Sequence, residues 1–241
     1  MGHSTWRGIV GLIKPTMDPG SLEELIRLLP HGVGVVPLFN DVREGRLEEF
    51  TNVIPAYESK VAILAEHKVD LIHPEGTPPF MLLGYEGEKR LLEEWQRKYG
   101  IPIFTSSSNQ IAAMKAMNIK KFIHVRYSTW DTEGVTARYF KDAGLNVHAP
   151  AHIKSEWKNV GDISAYTVYR EVKRVFQANP GADGIYIQGS GWSIIDVLDD
   201  LENDLGVPVI YPVAARCWEI HKRLGIRKPI TGNGRLLAEM P

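Results

Sequence analysis

Two turns carry the groups that can do chemistry. "VDLIHPEGTPPF", from Val69, and "DGIYIQGSGW", from Asp183, each run out of an apolar stretch into a turn centred on a glycine, Gly76 and Gly189. Many enzymes place a nucleophile or a thiol at such a position, and here neither turn has one. What remains suits a negative oxygen. Gly189, Ser190 and Gly191 can present successive N–H groups ahead of a helix start, and Thr77 can offer a hydroxyl and an N–H. Tyr127 adds a phenol, and Ser106 and Ser107 add hydroxyls from a third loop. Such donors stabilise an enediolate or another oxyanion, and each is worth roughly 10²–10³ in rate. A plainer reading stands beside this one: Gly-Ser-Gly makes a tight turn and the hydroxyls cap helices.

A proton must also be moved. Glu75 and His73 lie one and three residues before Gly76. A partly buried carboxylate can have its pKa raised towards neutrality and shuttle a proton. Equally, Glu75 can pair with an arginine of a neighbouring loop while His73 hydrogen-bonds to backbone. His124 is a rival proton carrier, and Arg126 can clamp a carboxylate in bidentate fashion. "NDVREGR" (40–46) can carry Asp41 or Arg43 over a cleft as a flap, or form a solvated turn and helix cap. Trp130 and Trp192 can wall an apolar pocket or sit at a subunit interface. No Gly-x-Gly-x-x-Gly follows the first apolar run, no phosphate-loop lysine motif occurs, and no paired His or Cys spacing marks zinc. No cofactor and no metal are therefore expected; "HPE" and "HVR" offer only separated metal ligands.

The elements that must position these residues are short and alternate in type. Strands are predicted at 8–13, 31–39, 69–72, 101–105, 121–125, 183–188 and 207–212. Amphipathic helices are predicted at 21–29, 46–67, 88–100, 109–117, 131–144, 164–179 and 194–206, with Pro55 kinking or splitting the second. Near-continuous apolar strands alternating with helices imply parallel sheets covered on both faces, with functional loops at the strand C-terminal ends. An internal repeat organises them further. From Val69, a strand, a Gly-Thr turn, an acidic helix, "GIPIF" and a second helix closed by a basic pair follow in order. From Ala182 the same order appears, with a Gly-Ser turn and "GVPVI". The offset is 183 − 70 = 113 at the opening Asp and 206 − 100 = 106 at the helix-ending Gly. Two like lobes facing each other across a cleft are the simplest packing, with 1–113 plus 219–241 as lobe one and 114–218 as lobe two.

Composition sets the outer limits. Of 241 residues, 44% are hydrophobic and 24% charged, as in an ordinary globular chain. A net charge of −1 supplies no basic field for nucleic acid or an anionic membrane, and no apolar run approaches the roughly 20 residues needed to cross a bilayer. "MGHSTWRG" has no secretory apolar core. One cysteine rules out an internal disulfide framework and fits a reducing, cytoplasmic setting.

With its paired glycine turns, "LGVPV" and the late "GNGRLL", the sequence resembles the aspartate/glutamate racemase superfamily, in the branch of arylmalonate decarboxylase and maleate cis-trans isomerase. "GLIKP" with Pro15, "TSSSNQIAAMKAM" (105–117) and Tyr127 fit the same pattern. The resemblance covers nearly the whole chain and implies an α/β fold of two pseudo-symmetric Rossmann-like lobes with parallel sheets and the active site in the cleft between them. It implies a thiol in each turn of a racemase and one thiol, the second, in a decarboxylase. Here those positions are Gly76 and Gly189, and the only cysteine, Cys217, falls on a predicted helix. Pro78 stands where a decarboxylase would offer a serine. The expected function is a cofactor-independent decarboxylase or isomerase acting at the carbon alpha to a carboxylate of a small organic acid, through an enediolate-like intermediate and without cysteine. Glu75, His73 and Tyr127 are the expected catalytic groups. Pro15, Gly76, Thr77, Ser106, Ser107, Gly189, Ser190 and Gly191 are expected to bind substrate. A hydrolase or hydratase using activated water, and a non-catalytic carboxylate-binding protein, are the alternatives. Homo-oligomerisation is left open.

Overall fold

Apolar stretches become buried strands, and the amphipathic stretches between them fold back as helices. The computed structural model describes residues 3–127 and 134–241. In chain order the first half contains β1 (Gly8–Lys14), α1 (Gly20–Leu28), β2 (Val33–Phe39), α2 (Leu47–Thr51), α3 (Ile54–Glu66), β3 (Leu71–Pro74), α4 (Pro78–Met81), α5 (Tyr85–Tyr99) and α6 (Ser106–Ala116). The second contains β4 (Lys121–Arg126), α7 (Val135–Asp142), β5 (Asn146–His152), α8 (Ala165–Ala178), β6 (Gly184–Ile187), α9 (Leu198–Leu205), β7 (Val209–Ile210), α10 (Pro212–Arg223) and α11 (Arg235–Glu239). Short 3₁₀ turns lie at Trp157–Asp162 and Ile195–Val197. No described helix is long and apolar enough to cross a membrane.

The strands form two parallel sheets, ordered β2-β1-β3 and β5-β4-β6-β7. The repeat read from the sequence is also present in the backbone. β1, β2 and β3 begin 113 residues before β4, β5 and β6 (121 − 8, 146 − 33 and 184 − 71). A single parallel bridge, Ile72 to Ile103, stands where β6 meets β7 through Ile185 and Val209, now 209 − 103 = 106 residues on. The chain is thus α/β with two Rossmann-like lobes. On β1, Val10 and Leu12 face a large core shared by both sheets, while Ile13 joins a smaller core with Tyr57, Val61, Leu64 and Trp95 on the opposite face. This two-residue alternation is what a strand covered on both faces requires. α10 packs on α6 and α1. The expected lobe limits at 113/114 and 218/219 fall inside α6 and α10, along this helix seam.

Prolines account for most departures from the expected elements. The strand expected at 101–105 is reduced to the Ile103 bridge, and the one expected at 207–212 to Val209–Ile210. Pro102, Pro208 and Pro212 lack the N–H a ladder needs, so pairing is confined to the residues between or beside them. Pro55 falls at the start of α3 and divides the expected 46–67 helix into α2 and α3. β5 was not predicted because "NVHAPAH" mixes polar residues with Pro150; it is an edge strand, where a proline without an N–H is tolerated. Of the helix expected at 131–144, residues 135–142 are helical and 131–133 lie outside the described residues, as does Trp130.

Candidate active site

Glu75, the first residue after β3, is buried among partners from four other segments. Arg216 of α10 brings Nη2 to 3.0 Å from Glu75 Oε1, and Lys14, the last residue of β1, brings Nζ to 3.5 Å from Oε2. Ser21 of α1 and Ser190 donate their hydroxyls to Oε1 at 2.9 and 2.6 Å. Lys14 Nζ also donates to Ser21 Oγ. α1 holds Ser21 in place because Glu24, three residues on, accepts from the Ile195 N–H at 3.0 Å and the Tyr211 hydroxyl at 2.6 Å. Burial by itself would raise the Glu75 pKa. Arg216 and Lys14, with the Ser190 hydrogen bond, outweigh it and hold the carboxyl well below the usual carboxylate range. Glu75 is therefore ionised at neutral pH. The raised pKa that partial burial alone would give is reversed by two cations distant in sequence, and the arginine pairing weighed as the alternative is present.

The two glycine turns meet. Ser190 reaches Glu75 across the cleft, and Gln188 Nε2 donates to Thr77 Oγ1 at 2.7 Å. Gln188 Oε1 in turn lies 2.7 Å from His124 Nε2. Both glycines have backbones that disfavour side chains, with φ of 105° at Gly76 and 101° at Gly189. At Gly189 the constraint is also steric, since an added β-carbon would fall 2.3 Å from Tyr127 Cε1, against the hydroxyl-bearing edge of the ring. The position that the resemblance gives to the second thiol is thus filled by an aromatic ring. Tyr127 is held by Trp192, 4.9 Å away in a T-shaped contact, and by Trp157 at 5.8 Å. Its hydroxyl accepts the Gly191 N–H, and burial pushes its pKa far up, so the phenol keeps its proton and serves as a donor.

A cavity of about 350 Å³ opens at this junction. Lys14, Pro15, Ser21, Glu75, Tyr127, Ser190 and Gly191 line it, with Arg43, Trp157 and Lys158 towards solvent. A smaller cavity of about 60 Å³ shares Pro15, Glu75, Tyr127 and Ser190, and reaches Gly76, Thr77, Gln188 and Gly189. Of the residues expected at a site, Pro15, Glu75, Gly76, Thr77, Tyr127, Gly189, Ser190 and Gly191 are thus brought together. His73, Ser106 and Ser107 are not on the cavity wall. The buried His73 ring directs Nδ1 to the Phe104 carbonyl at 2.9 Å and Nε2 to Ser106 at 3.4 Å; Ser106 Oγ accepts the Gly76 N–H at 3.1 Å. Burial, reinforced by Arg216, keeps His73 neutral. His73 and Ser106 therefore shape the Gly76 turn from behind, while Ser107 is wholly buried in α6. His124 is stacked on Tyr186 and buried, and Trp192 lies wholly inside the core. Arg43 does reach the cavity, bound to Asp41 at 2.6 Å on the 40–46 loop, so this loop borders the cleft.

Lys14, Ser21, Arg216 and Gln188 are functional candidates that sequence reasoning did not single out. A signal existed for two of them. Lys14 ends an otherwise apolar run, and Arg216 interrupts "PVAARCW" in a helix buried over most of its length. Cys217 is buried on α10 and does not line either cavity; burial pushes its thiol up to about 12. Among the described residues no three His, Cys, Asp or Glu side chains gather as metal ligands.

Duplicated parallel lobes with a charged cavity at the junction of their corresponding turns define a two-lobed α/β protein with a candidate site between its lobes. The sequence matches the arylmalonate decarboxylase family over residues 32–237, and the chain belongs to that family. No curated protein sequence matches it. Among solved structures, an arylmalonate decarboxylase with glycine-to-cysteine and cysteine-to-serine substitutions, in its liganded form, is similar with a TM-score of 0.87 at 18% identity, covering 96% of this chain and 99% of that one. Maleate isomerase Iso from Pseudomonas putida S16 has a TM-score of 0.87 at 16% identity, covering 97% and 99%. A Nocardia farcinica maleate cis-trans isomerase variant, with a covalently bound succinylcysteine intermediate, has a TM-score of 0.84 at 16% identity, covering 96% and 98%. At these identities the likeness is one of fold.

Proposed function

We propose that the protein is an enzyme of the decarboxylase or isomerase type that acts, without a thiol or a cofactor, at the carbon next to a carboxylate of a small organic acid. The observation that carries this reading is the cavity beside the two glycine turns, walled by Lys14, Arg43 and Lys158, by the hydroxyls of Ser21, Tyr127 and Ser190, and by the carboxylates of Glu75 and Asp18. The acid enters beside Lys14, past Arg43 and Lys158, which are themselves paired with Asp41 and Glu156 at the rim. Tyr127, Ser190, Thr77 and the backbone N–H groups of the 189–191 turn surround the oxygens on which charge develops as the enediolate forms. Glu75 stays ionised and holds Ser21, Ser190 and Lys14 in position. A catalyst depends on such a prearranged constellation because donors fixed beforehand need no reorganisation during the reaction.

The ionised state of Glu75 favours one other reading, a carboxylate-binding protein without turnover. Thermal-shift screening of small mono- and dicarboxylates, phenylmalonate and maleate among them, followed by NMR of each acid that binds, separates the two. The proposal expects at least one bound acid to be consumed. Acids bound and returned unchanged identify a binding protein, and no stabilisation by any acid refutes both readings.

A further inference from the structure

Three buried ionisable side chains line the larger cavity: Lys14, Glu75 and Tyr127. An enediolate must receive a proton on carbon, from a group that carries one and turns it towards the cavity. Glu75, paired with Arg216 and Lys14, has no proton to give. Tyr127 has one, but burial and the nearby Glu75 charge tie it firmly to the phenol oxygen. Lys14 is an ammonium with three N–H donors. Ser21 Oγ takes one and Glu75 Oε2 faces a second, which leaves the third for a ligand in the cavity that Lys14 lines.

We propose that Lys14 is the proton donor of this cleft, doing from the end of β1 what a thiol would do from the second turn. The inference rests on the reading of the site as one that forms an enediolate from a small carboxylic acid. In the step itself the enediolate's electron pair forms the new C–H bond and the enediolate collapses to a carboxylate. One Nζ–H bond breaks with its pair remaining on nitrogen, and the neutral amine regains a proton from water in the cavity. Glu75 keeps its charge throughout and keeps the amine aimed, through Ser21 on one side and its own Oε2 on the other. Arg216 supplies the second counter-charge, so Glu75 is not left unpaired when Lys14 is neutral.

The test compares Lys14→Arg with wild type on whichever malonate-type acid the wild type decarboxylates, with phenylmalonate as the first probe. Arginine preserves the positive charge beside Glu75 but does not give up its proton. The expected result is an unchanged thermal shift on acid binding and a kcat lower by about 10²–10⁴. Retention of kcat within about tenfold overturns the assignment. Lys14→Ala provides a second route, in which added ethylamine restores turnover and ethylguanidine does not. Equal rescue by both would mean that only charge matters, and would overturn the assignment as well. A wild type that converts no acid defeats the proposed function and this inference together, whereas an active Lys14→Arg defeats this inference alone.

Discussion

Replacing Glu75 by glutamine tests whether the carboxylate is the counter-ion on which the cleft is built. Glutamine has nearly the same volume and keeps an acceptor for Ser190 and Ser21, so the change is chiefly one of charge. It strands Arg216, 3.0 Å away, and Lys14, 3.5 Å away, as buried cations. With an effective dielectric constant of about 20, each contact is worth about 5 kcal/mol in gross Coulomb energy. Part of that is offset by desolvation already incurred in the native state, and breaking a buried pair typically costs about 3–5 kcal/mol net. At about 2.1 cal/mol/K per residue, the unfolding entropy of a 241-residue chain is about 0.5 kcal/mol/K, so Tm should fall by about 6–10 °C. Calorimetry or urea unfolding at pH 7 reads this directly. Arg216→Met in the same chain removes one stranded cation, and the double variant should be at least about 2 kcal/mol more stable than the two single losses added together. A Glu75→Gln protein within about 0.5 kcal/mol of wild type, or strictly additive losses, would refute the ion-pair reasoning.

Two further outcomes follow from the same geometry. Gly189→Ala places a β-carbon against the edge of the Tyr127 ring at a φ of 101°, so it should lower stability by about 1–3 kcal/mol and move the aromatic near-UV circular dichroism as Tyr127 is displaced; a variant with unchanged Tm and spectrum would show that the ring does not lie against that position. Glu88 of α5 is buried against the hydroxyls of Thr105 and Tyr139, and burial raises its pKa to about 6. A folded value above the unfolded one gives stability that is fully present below about pH 4.5 and lost as pH rises through about 6, so wild type should lose about 2 kcal/mol relative to Glu88→Gln between pH 4.5 and 7.5, and parallel stability curves for the two proteins would contradict it.

The architecture was legible because it rests on local pattern. Short apolar runs, amphipathic helices and the 113- and 106-residue offsets all reappear in the two sheets. The meeting of the glycine turns was legible too, since duplicated lobes facing one another leave few other arrangements. The electrostatics were not. Glu75 sits in the turn "HPEGT" with no basic residue other than His73 beside it, while its counter-ions lie at positions 14 and 216. The sequence therefore left a raised pKa and an arginine pairing both open, and the packing of α10 and the end of β1 around Glu75 decides for the pairing. Ser106 and His73 show the same limit from the other side. Both are close in sequence to the turn or to its supporting loop, yet they point behind it, where they fix Gly76 rather than face the cavity. Tyr127 was expected as a phenol at the site, but nothing in the sequence reveals that its ring would fill the space beside Gly189.

The account stands on catalysis without sulfur, and the chain's single thiol allows a direct test. Cys217 is buried on α10 beside Arg216, apart from both cavities. The decisive measurement is the NMR-monitored turnover of Cys217→Ala on the acid that wild type converts, with its Tm recorded alongside. The predicted result is a rate within about threefold of wild type, even if removing the buried sulfur costs about 1–2 kcal/mol of stability. A loss of about 100-fold or more, in a protein that still folds and still binds the acid, would make the thiol part of the chemistry and contradict the account.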